Sequence, residues 1–236
     1  SAFLMTGEDR YLEVAEKGTE YLREKLRLNV DENTCIWYHA LDIKEDGTEE
    51  KILASQSDDD RDTIPCYEQI YALAGPVQTY RATGDPRIMD DAKATINAFN
   101  RFFLDTSLKG GFFSHIDPET LSPHSESLGK NLARKNWNSV GDHAPAYLIN
   151  LWLATGEMEY ADFLEHIFDT IVKHFPDYED SPFVQEKFYE DWSHDTTYAW
   201  QQNRAVVGHN LKIAWNLTRM HNLRAKRDYV ELAKKI

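Results

Sequence analysis

Cysteine, basic charge and long apolar runs are all scarce in this chain of 236 residues. Its two cysteines, Cys35 and Cys66, are too few for a disulfide framework and belong to no metal-binding spacing. Lys and Arg total 26 against 40 Asp and Glu, and the formal net charge of −14 disfavours nucleic acids and anionic membranes as partners. No apolar run approaches the ~18 residues that a membrane-spanning helix needs. These deficits predict reduced thiols and no membrane-spanning segment.

The first residues, SAFLMTGEDRYLEV, also lack the basic and then apolar signature of a signal peptide. We therefore expect a cytoplasmic protein. Hydrophobic residues make up 42% of the chain, which is enough for a sizeable core. No histidine pair has the spacing of a zinc site or of a facial triad, so we expect no metal and no cofactor.

Three segments of the same pattern recur about 75 residues apart. Each is Thr-Gly followed by an acidic residue, with the glycines at Gly7, Gly84 and Gly156. Apolar residues then recur at i, i+3/i+4 and i+7, which predicts a helix buried on one side. A glycine that ends one helix in a left-handed turn, before an acidic residue that begins the next, explains the pattern.

Other segments are apolar on nearly all sides, which predicts inner helices enclosed by their neighbours. They are residues 63–81, 143–154 and 205–217. Asp62-Thr63-Ile64-Pro65 and Asp142-His143-Ala144-Pro145 look like matching helix starts, each with an aspartate cap and a proline in the first turn.

Aromatic-rich segments with turn residues separate the helices. Residues 37–51 and 110–121 resemble each other, and both are predicted to be β-hairpins. A repeated unit of outer helix, hairpin loop and inner helix predicts an all-α fold of helical hairpins, the (α/α)6 toroid.

The repeat length predicts an incomplete ring. At about 75 residues per unit the chain holds about three repeats and the start of a fourth, whereas a closed ring of six hairpins needs roughly 400 residues. Because repeat units bury their apolar faces against neighbours, a partial ring would expose two edges. We expect residues 1–236 to be a single toroid domain and a fragment, with a second chain or a missing segment completing the ring.

Four stretches resemble motifs of the N-acylglucosamine 2-epimerase family, which includes cellobiose 2-epimerases and aldose–ketose isomerases. They are GGFFSHIDPETL, KNWNSVGDHAPAYLINLWLATGE, FYEDWSHD and VVGHNLKIAWNL. They occur in the order of the family and cover the middle of a family member, without its first helices and its C-terminal third. The resemblance implies an (α/α)6 barrel with a sugar site in a central funnel.

The resemblance also implies proton transfer at the second carbon of a mono- or disaccharide by two histidines, through an enediolate. By motif position, His209 is one acid/base and His143 contacts or orients the sugar. The partner histidine belongs to the absent C-terminal third. Two departures affect substrate placement: Lys212 replaces the glutamate of the family's Gly-His-x-x-Glu, and Pro145-Ala146 stand where its His-x-x-Glu carries a carboxylate.

Histidine chemistry is also favoured by the residues alone. Proton abstraction beside a carbonyl requires a base whose pKa lies near the working pH, as that of histidine does. His143 follows an aspartate at a predicted helix start, where the helix dipole keeps an imidazole neutral and able to accept a proton. Gly208 has no side chain, which leaves a ligand room to approach His209.

Five further residues are predicted to bind the substrate: Trp137, Trp192, Lys212, Asn138 and Arg204. The two tryptophans precede inner helices, and their flat rings match the apolar faces of sugars. Asn138 belongs to the family's Lys-x-x-Asn motif by resemblance. Lys212 and Arg204 could hydrogen-bond a sugar hydroxyl or bind an anionic group, and Arg134 and Lys135 are further candidates of the second kind.

The remaining histidines and the acidic run are predicted to have structural roles. We expect loop or surface positions for His39, His115, His124, His194 and His221. The run Asp58-Asp59-Asp60 is predicted to be a solvated loop or a helix cap.

Two other functions stay open. A glycoside hydrolase would use two carboxylates, with Asp142, Asp191 and one residue of the acidic run as candidates, but it leaves the histidines unexplained. A noncatalytic carbohydrate-binding module is favoured by the missing second histidine and by Lys212, and fold analogy alone does not exclude it.

Overall fold

The computed structural model describes residues 2–136, 144–177, 179, 181, 183–197 and 205–236, without the side chains of Ala144 and Ala146. Contacts within the chain divide it into two compact units. The first comprises Ser1–Leu104 and His115–Leu132, and the second comprises Asp105–Ser114 and Ala133–Ile236.

The first unit is built on four helices. They are α1 (Ala2–Thr6), α2 (Asp9–Tyr21), α3 (Cys66–Thr83) and α4 (Pro86–Ala98). Helices α2 and α4 each continue into a π-helical turn, at Leu22–Leu26 and Phe99–Phe103. Helix α3 packs against both α2 and α4, and its buried side includes Ile70, Leu73 and Val77.

Three antiparallel strand pairs complete the first unit. They are β1 (Arg27–Asp31) with β2 (Thr34–Trp37), β3 (Ala40–Ile43) with β4 (Glu49–Ile52), and β5 (Ile64–Pro65) with β6 (His115–Ile116). Strand β2 is buried throughout and packs on α4. Its end is tied to α3, because the Gln69 side chain accepts from the Trp37 backbone N–H and donates to the Trp37 carbonyl.

The second unit contains helices α5 (Ala144–Thr155), α6 (Met158–His174), α7 (Val207–Leu223) and α8 (Arg227–Lys235). Strands β7 (Lys135–Asn136) and β8 (Lys187–Phe188) form its antiparallel pair. Helix α6 packs against α5 and contacts α7 and α8, which also pack on each other. Leu164, Ile167 and Phe168 on α6 are fully buried, so the predicted one-sided burial of this helix is confirmed.

The glycine turns predicted from the repeat are confirmed. Gly7, Gly84 and Gly156 have left-handed φ values of 73°, 69° and 70°, which glycine adopts without steric cost. After Gly84, the Asp85 side chain caps α4 by accepting from the Arg87 backbone N–H. Helix α8 lies where the sequence analysis places the start of a fourth repeat.

The predicted hairpin over residues 37–51 is confirmed by the β3–β4 pair, and the β1–β2 hairpin was not predicted. Two other expectations are wrong. Residues 110–121 do not form a hairpin, because their strand, His115–Ile116, pairs with Ile64–Pro65 instead. For the same reason α3 begins at Cys66 rather than at an Asp62 cap, and Asp62 has a left-handed φ of 63°.

The predicted inner helix α7 is less enclosed than expected. Val207, Leu211 and Trp215 on α7 are 61%, 64% and 56% exposed within the part of the chain that the structure describes. Both cysteines are free thiols buried in the first unit, and burial raises the pKa of each. None of the described helices combines the length and the apolar character needed to cross a membrane.

Candidate active site

The structure describes three of the predicted site residues: Trp192, His209 and Lys212. The other four, Trp137, Asn138, His143 and Arg204, lie outside the described residues, as does Asp142. Two of the three described residues, His209 and Lys212, lie on α7.

His209 lies in the first turn of α7, and its ring is held by a carboxylate. Its Nδ1 is 2.9 Å from Oε2 of Glu186, and the two side chains are 30% and 14% exposed. Glu186 precedes β8 and was not predicted as a site residue, because no local pattern links it to a helix that begins 21 residues later. A histidine whose ring is partly exposed and oriented by a half-buried carboxylate can act as a general base.

Within the described residues, the space beside Gly208, which precedes His209, is open. A Cβ atom placed on Gly208 would have no neighbour within 4 Å among the surrounding residues that the structure describes. Lys212 lies one helical turn farther along α7 and is half-buried. The first turns of α7 thus combine a histidine, an open approach and a nearby cation.

Trp192 lies in a packed aromatic cluster rather than on an accessible surface. It is 7% exposed, and its ring stacks on His174 with 4.5 Å between ring centroids. Phe175 and Phe188 also contact the indole, whose Nε1 donates to the Lys109 carbonyl at 2.8 Å. This burial favours a structural role over the predicted sugar stacking.

Lys135 is the buried cation of the same cluster. Its side chain is fully buried, and Nζ donates to Oδ2 of Asp105 and to the carbonyls of Gly110 and Glu190 at 2.6, 2.6 and 2.9 Å. Burial lowers the pKa of Lys135, an effect that the hydrogen bond to Asp105 opposes. The lysine therefore fastens the 105–114 segment to β7 and is not available to bind an anionic substrate.

Arg134 is also engaged by the protein. Its guanidinium lies 4.1 Å from the centroid of the Tyr189 ring and its Nε is 3.4 Å from Oδ2 of Asp195, which is buried. Burial alone would raise the pKa of Asp195, but hydrogen bonds from Thr197 and Tyr189 together with the charge of Arg134 hold it below its ordinary value.

The carboxylate proposed for a hydrolase does not resemble a general acid. Asp191 is exposed and accepts hydrogen bonds from the backbone and the hydroxyl of Ser193. These bonds lower its pKa, whereas a general acid requires a raised one. The described carboxylates at this loop give the hydrolase alternative no support.

The first unit contains a second polar cluster, which corrects two expectations. His115 is 1% exposed rather than a surface residue, and its Nε2 is 2.8 Å from Oδ1 of Asp60. Tyr67 donates to Oδ2 of the same carboxylate at 2.9 Å, and burial together with Asp60 raises the pKa of Tyr67. Asp60 is thus a partly buried hub that joins the 55–63 loop to β6 and α3, not a solvated acidic residue.

We expect Asp60→Asn to lower the free energy of unfolding by about 2 kcal/mol, because hydrogen bonds to a charged group contribute about 1.5–3 kcal/mol. Asp58→Asn is the matched control, since Asp58 is exposed in the same loop. Urea unfolding of both variants checks the difference, and equal stabilities would contradict the role assigned to Asp60.

A cleft of about 370 Å³ lies nearby in the first unit. Its lining includes Trp37, Tyr38, His39, Glu68 and Tyr71. Glu68 accepts from Ser55 and lies 2.9 Å from Nδ1 of His39. The cleft is aromatic with a polar edge, and no sequence pattern predicted it.

Comparison with known proteins supports the fold and the family. The family model described as N-acylglucosamine 2-epimerase (GlcNAc 2-epimerase) matches residues 2–236, and the chain belongs to this family. A search of curated proteins finds no significant match.

Solved structures resemble the chain at low sequence identity. A D-mannose isomerase superposes with a TM-score of 0.71 at 17% identity, over 99% of this chain and 53% of its own. The cellobiose 2-epimerase of Bacillus thermoamylovorans gives 0.73 at 15% identity, over 99% and 55%. An α-1,6-mannanase from a Salegentibacter species gives 0.51 at 15% identity, over 72% and 45%.

These likenesses confirm the predicted fold class, the helical-hairpin architecture of the (α/α)6 toroid enzymes. The chain spans little more than half the length of the isomerase and the epimerase. The family and these two neighbours are isomerase-type enzymes.

Proposed function

We propose that the chain is part of a sugar epimerase or isomerase in which His209 transfers a proton at the second carbon of a reducing sugar. Family membership and the likeness to a mannose isomerase and a cellobiose epimerase support this activity. The observation that carries it is the His209 ring, partly exposed beside an open approach and bound through Nδ1 to Glu186.

The chemistry uses the second ring nitrogen. With Nδ1 facing the carboxylate, Nε2 carries the lone pair and removes the proton from the second carbon. The electrons of that C–H bond form a double bond to the first carbon, and the aldehyde oxygen becomes an enediolate oxygen. Return of the proton to the opposite face of the second carbon, as the oxygen on the first carbon re-forms the carbonyl, gives the epimer. Delivery of the proton to the first carbon, with the hydroxyl proton of the second carbon passing to the oxygen of the first, gives the ketose.

The other predicted site residues orient or contact the sugar in this proposal. His143 orients the sugar near the reacting carbon, and Trp137, Asn138, Arg204 and Lys212 contact the substrate. A second acid/base histidine comes from a segment or chain outside residues 1–236. The substrate is a mono- or disaccharide, and the enediolate step is common to epimerisation and isomerisation.

The decisive experiment follows the proton itself. The full-length protein is incubated in deuterated water with mannose, glucose, N-acetylglucosamine or cellobiose, and exchange at the second carbon is followed by NMR. We expect exchange with at least one sugar and a loss of about 100-fold or more in His209→Gln, since a positioned general base contributes about 10²–10⁴-fold.

His221→Gln is the matched control, because His221 lies at the other end of α7 and its Nδ1 bonds to the Lys226 carbonyl. It should leave exchange unchanged. Sugar binding without exchange in the wild type would favour a binding module, and full exchange in His209→Gln would remove His209 from the reaction.

A further inference from the structure

We propose that Glu186 is the positioning residue for His209, acting by fixing which ring nitrogen carries the proton. This inference rests on the proposed function, since it assigns the residue that prepares the proposed base. An ionised carboxylate only accepts hydrogen bonds, so the contact of 2.9 Å requires the proton to be on Nδ1. Nε2 is then left with the lone pair that proton abstraction needs.

The carboxylate is built into the fold rather than placed on a free loop. Glu186 is 14% exposed, and its backbone lies between two fixed points. On one side the Val184 backbone N–H donates to Oδ1 of Asn210, and on the other Lys187 and Phe188 form β8. The Gln185 backbone N–H donates to the Phe175 carbonyl between them. Glu186 therefore has little freedom to leave His209.

The attachment also reaches the helix that carries the histidine. Asn210 follows His209 in the sequence and is buried, and its Nδ2 donates to the Val206 carbonyl before α7 begins. Two neighbouring residues of α7, His209 and Asn210, thus bond to Glu186 and Val184 of one segment. This pairing holds the imidazole and the carboxylate in a fixed relation through both backbone and side-chain bonds.

Charge favours the same arrangement. Once His209 has taken a proton from the sugar, the imidazolium faces a carboxylate, which stabilises the charge that forms. Lys212, the cation on the same helix, lies one turn closer to the C-terminal end of α7 than His209 does. Within the described residues Glu186 is the carboxylate bonded to the His209 ring, so it supplies the compensating charge.

The test compares Glu186→Gln with the control Glu190→Gln in the full-length protein. Both changes remove one negative charge, and the Glu190 side chain is 40% exposed in the same segment. An amide can donate as well as accept, so it no longer dictates the histidine tautomer. We expect kcat to fall about 10–100-fold in Glu186→Gln, the loss typical when the carboxylate partner of a metal-ligating histidine is removed, with KM changed less than about 3-fold.

A spectroscopic readout separates this role from a structural one. ¹⁵N-histidine NMR, assigned by the signal lost in His209→Gln, should show His209 protonated on Nδ1 in the wild type and in Glu190→Gln. In Glu186→Gln a substantial fraction should be protonated on Nε2. Glu186→Asp keeps an ionised acceptor and should retain the Nδ1 tautomer, with a smaller loss of kcat than the glutamine variant.

An unchanged tautomer together with an unchanged kcat in Glu186→Gln would overturn the proposal. Because the spectrum needs no substrate, it also distinguishes the two ideas. A protein that exchanges no sugar proton but shows the expected tautomer change retains the His209–Glu186 arrangement and loses the proposed reaction.

Discussion

Lys135→Ala should lower the free energy of unfolding of the second unit by about 3–5 kcal/mol, the range found when one partner of a buried ion pair is removed. The ammonium is fully buried, and three oxygens of the protein surround it, on Asp105, Gly110 and Glu190. Its removal leaves the Asp105 carboxylate, 5% exposed, without its cation. An unpaired buried charge is expensive because neither water nor another charge replaces the lost partner.

The matched control is Lys109→Ala. Lys109 lies in the same segment, but its side chain is 42% exposed and faces Glu190 at 3.2 Å. Exposed ion pairs contribute about 0–1 kcal/mol, so this variant should be nearly as stable as the wild type. Urea unfolding measures both, and equal losses would contradict a buried ion pair that holds the segment.

A double-mutant cycle apportions the effect between charge and packing. Lys135→Met keeps most of the side-chain volume, and Asp105→Asn removes the opposing charge. Each single variant should be strongly destabilised, while the double variant should recover part of the loss because no unpaired charge remains. Additive losses would show that the two residues contribute independently.

Acidification provides a second test of the same pair. Burial alone would raise the pKa of Asp105, but hydrogen bonds from Lys135 and Ser107 hold it below its ordinary value of 3.8. A lowered pKa means that the folded state binds the proton less readily than the unfolded chain. The stabilisation of the fold by the pair is therefore complete above the ordinary pKa of 3.8. It is lost as the pH falls through the lowered pKa of the folded state. Asp105→Asn should remove this part of the acid sensitivity.

Gly111→Ala is expected to have the second large effect on stability, about 3 kcal/mol. Gly111 has a left-handed φ of 83°, which costs an L-residue about 1–2 kcal/mol. A Cβ atom at this position would also lie 2.3 Å from the Trp192 ring. Because Trp192 is packed among His174, Phe175 and Phe188, it has little room to move, and overpacking adds about 1–3 kcal/mol.

The neighbouring glycine separates the two contributions. Gly110 also has a left-handed φ, 64°, but a Cβ atom there would have no described neighbour within 4 Å. Gly110→Ala should therefore show only the backbone cost, about 1–2 kcal/mol. Urea unfolding of both variants gives the difference, and equal costs would mean that the indole yields to the added methyl group.

Local structure could be predicted from the sequence because it depends on local periodicity. The spacing of apolar residues indicated α2, α4 and α6. One face of α4 and of α6 is buried against neighbouring elements, whereas Thr19 is the buried residue of α2. The glycines at Gly84 and Gly156 indicated helix ends, since only a residue without a Cβ adopts a left-handed turn freely. His209 was predicted from its helix and from the family motif, and its catalytic role stays a proposal.

Tertiary structure decided what joins distant parts of the chain. The Ile64–Pro65 strand takes its partner from His115–Ile116, which removed both a predicted helix cap and a predicted hairpin. Glu186 contacts His209 across a loop, and no residue spacing in the sequence predicts that contact.

Contacts between distant parts of the sequence also decided which polar side chains are buried within each unit. Three residues with polar or amphipathic side chains, Trp192, Lys135 and His115, were predicted to lie at the surface or in a binding site. All three are buried. Their burial is stable because each side chain finds a partner fixed by other segments: a carbonyl for Trp192, and a carboxylate for Lys135 and for His115. Periodicity by itself determined which residues form helices, whereas long-range hydrogen bonding decided which polar residues could leave water.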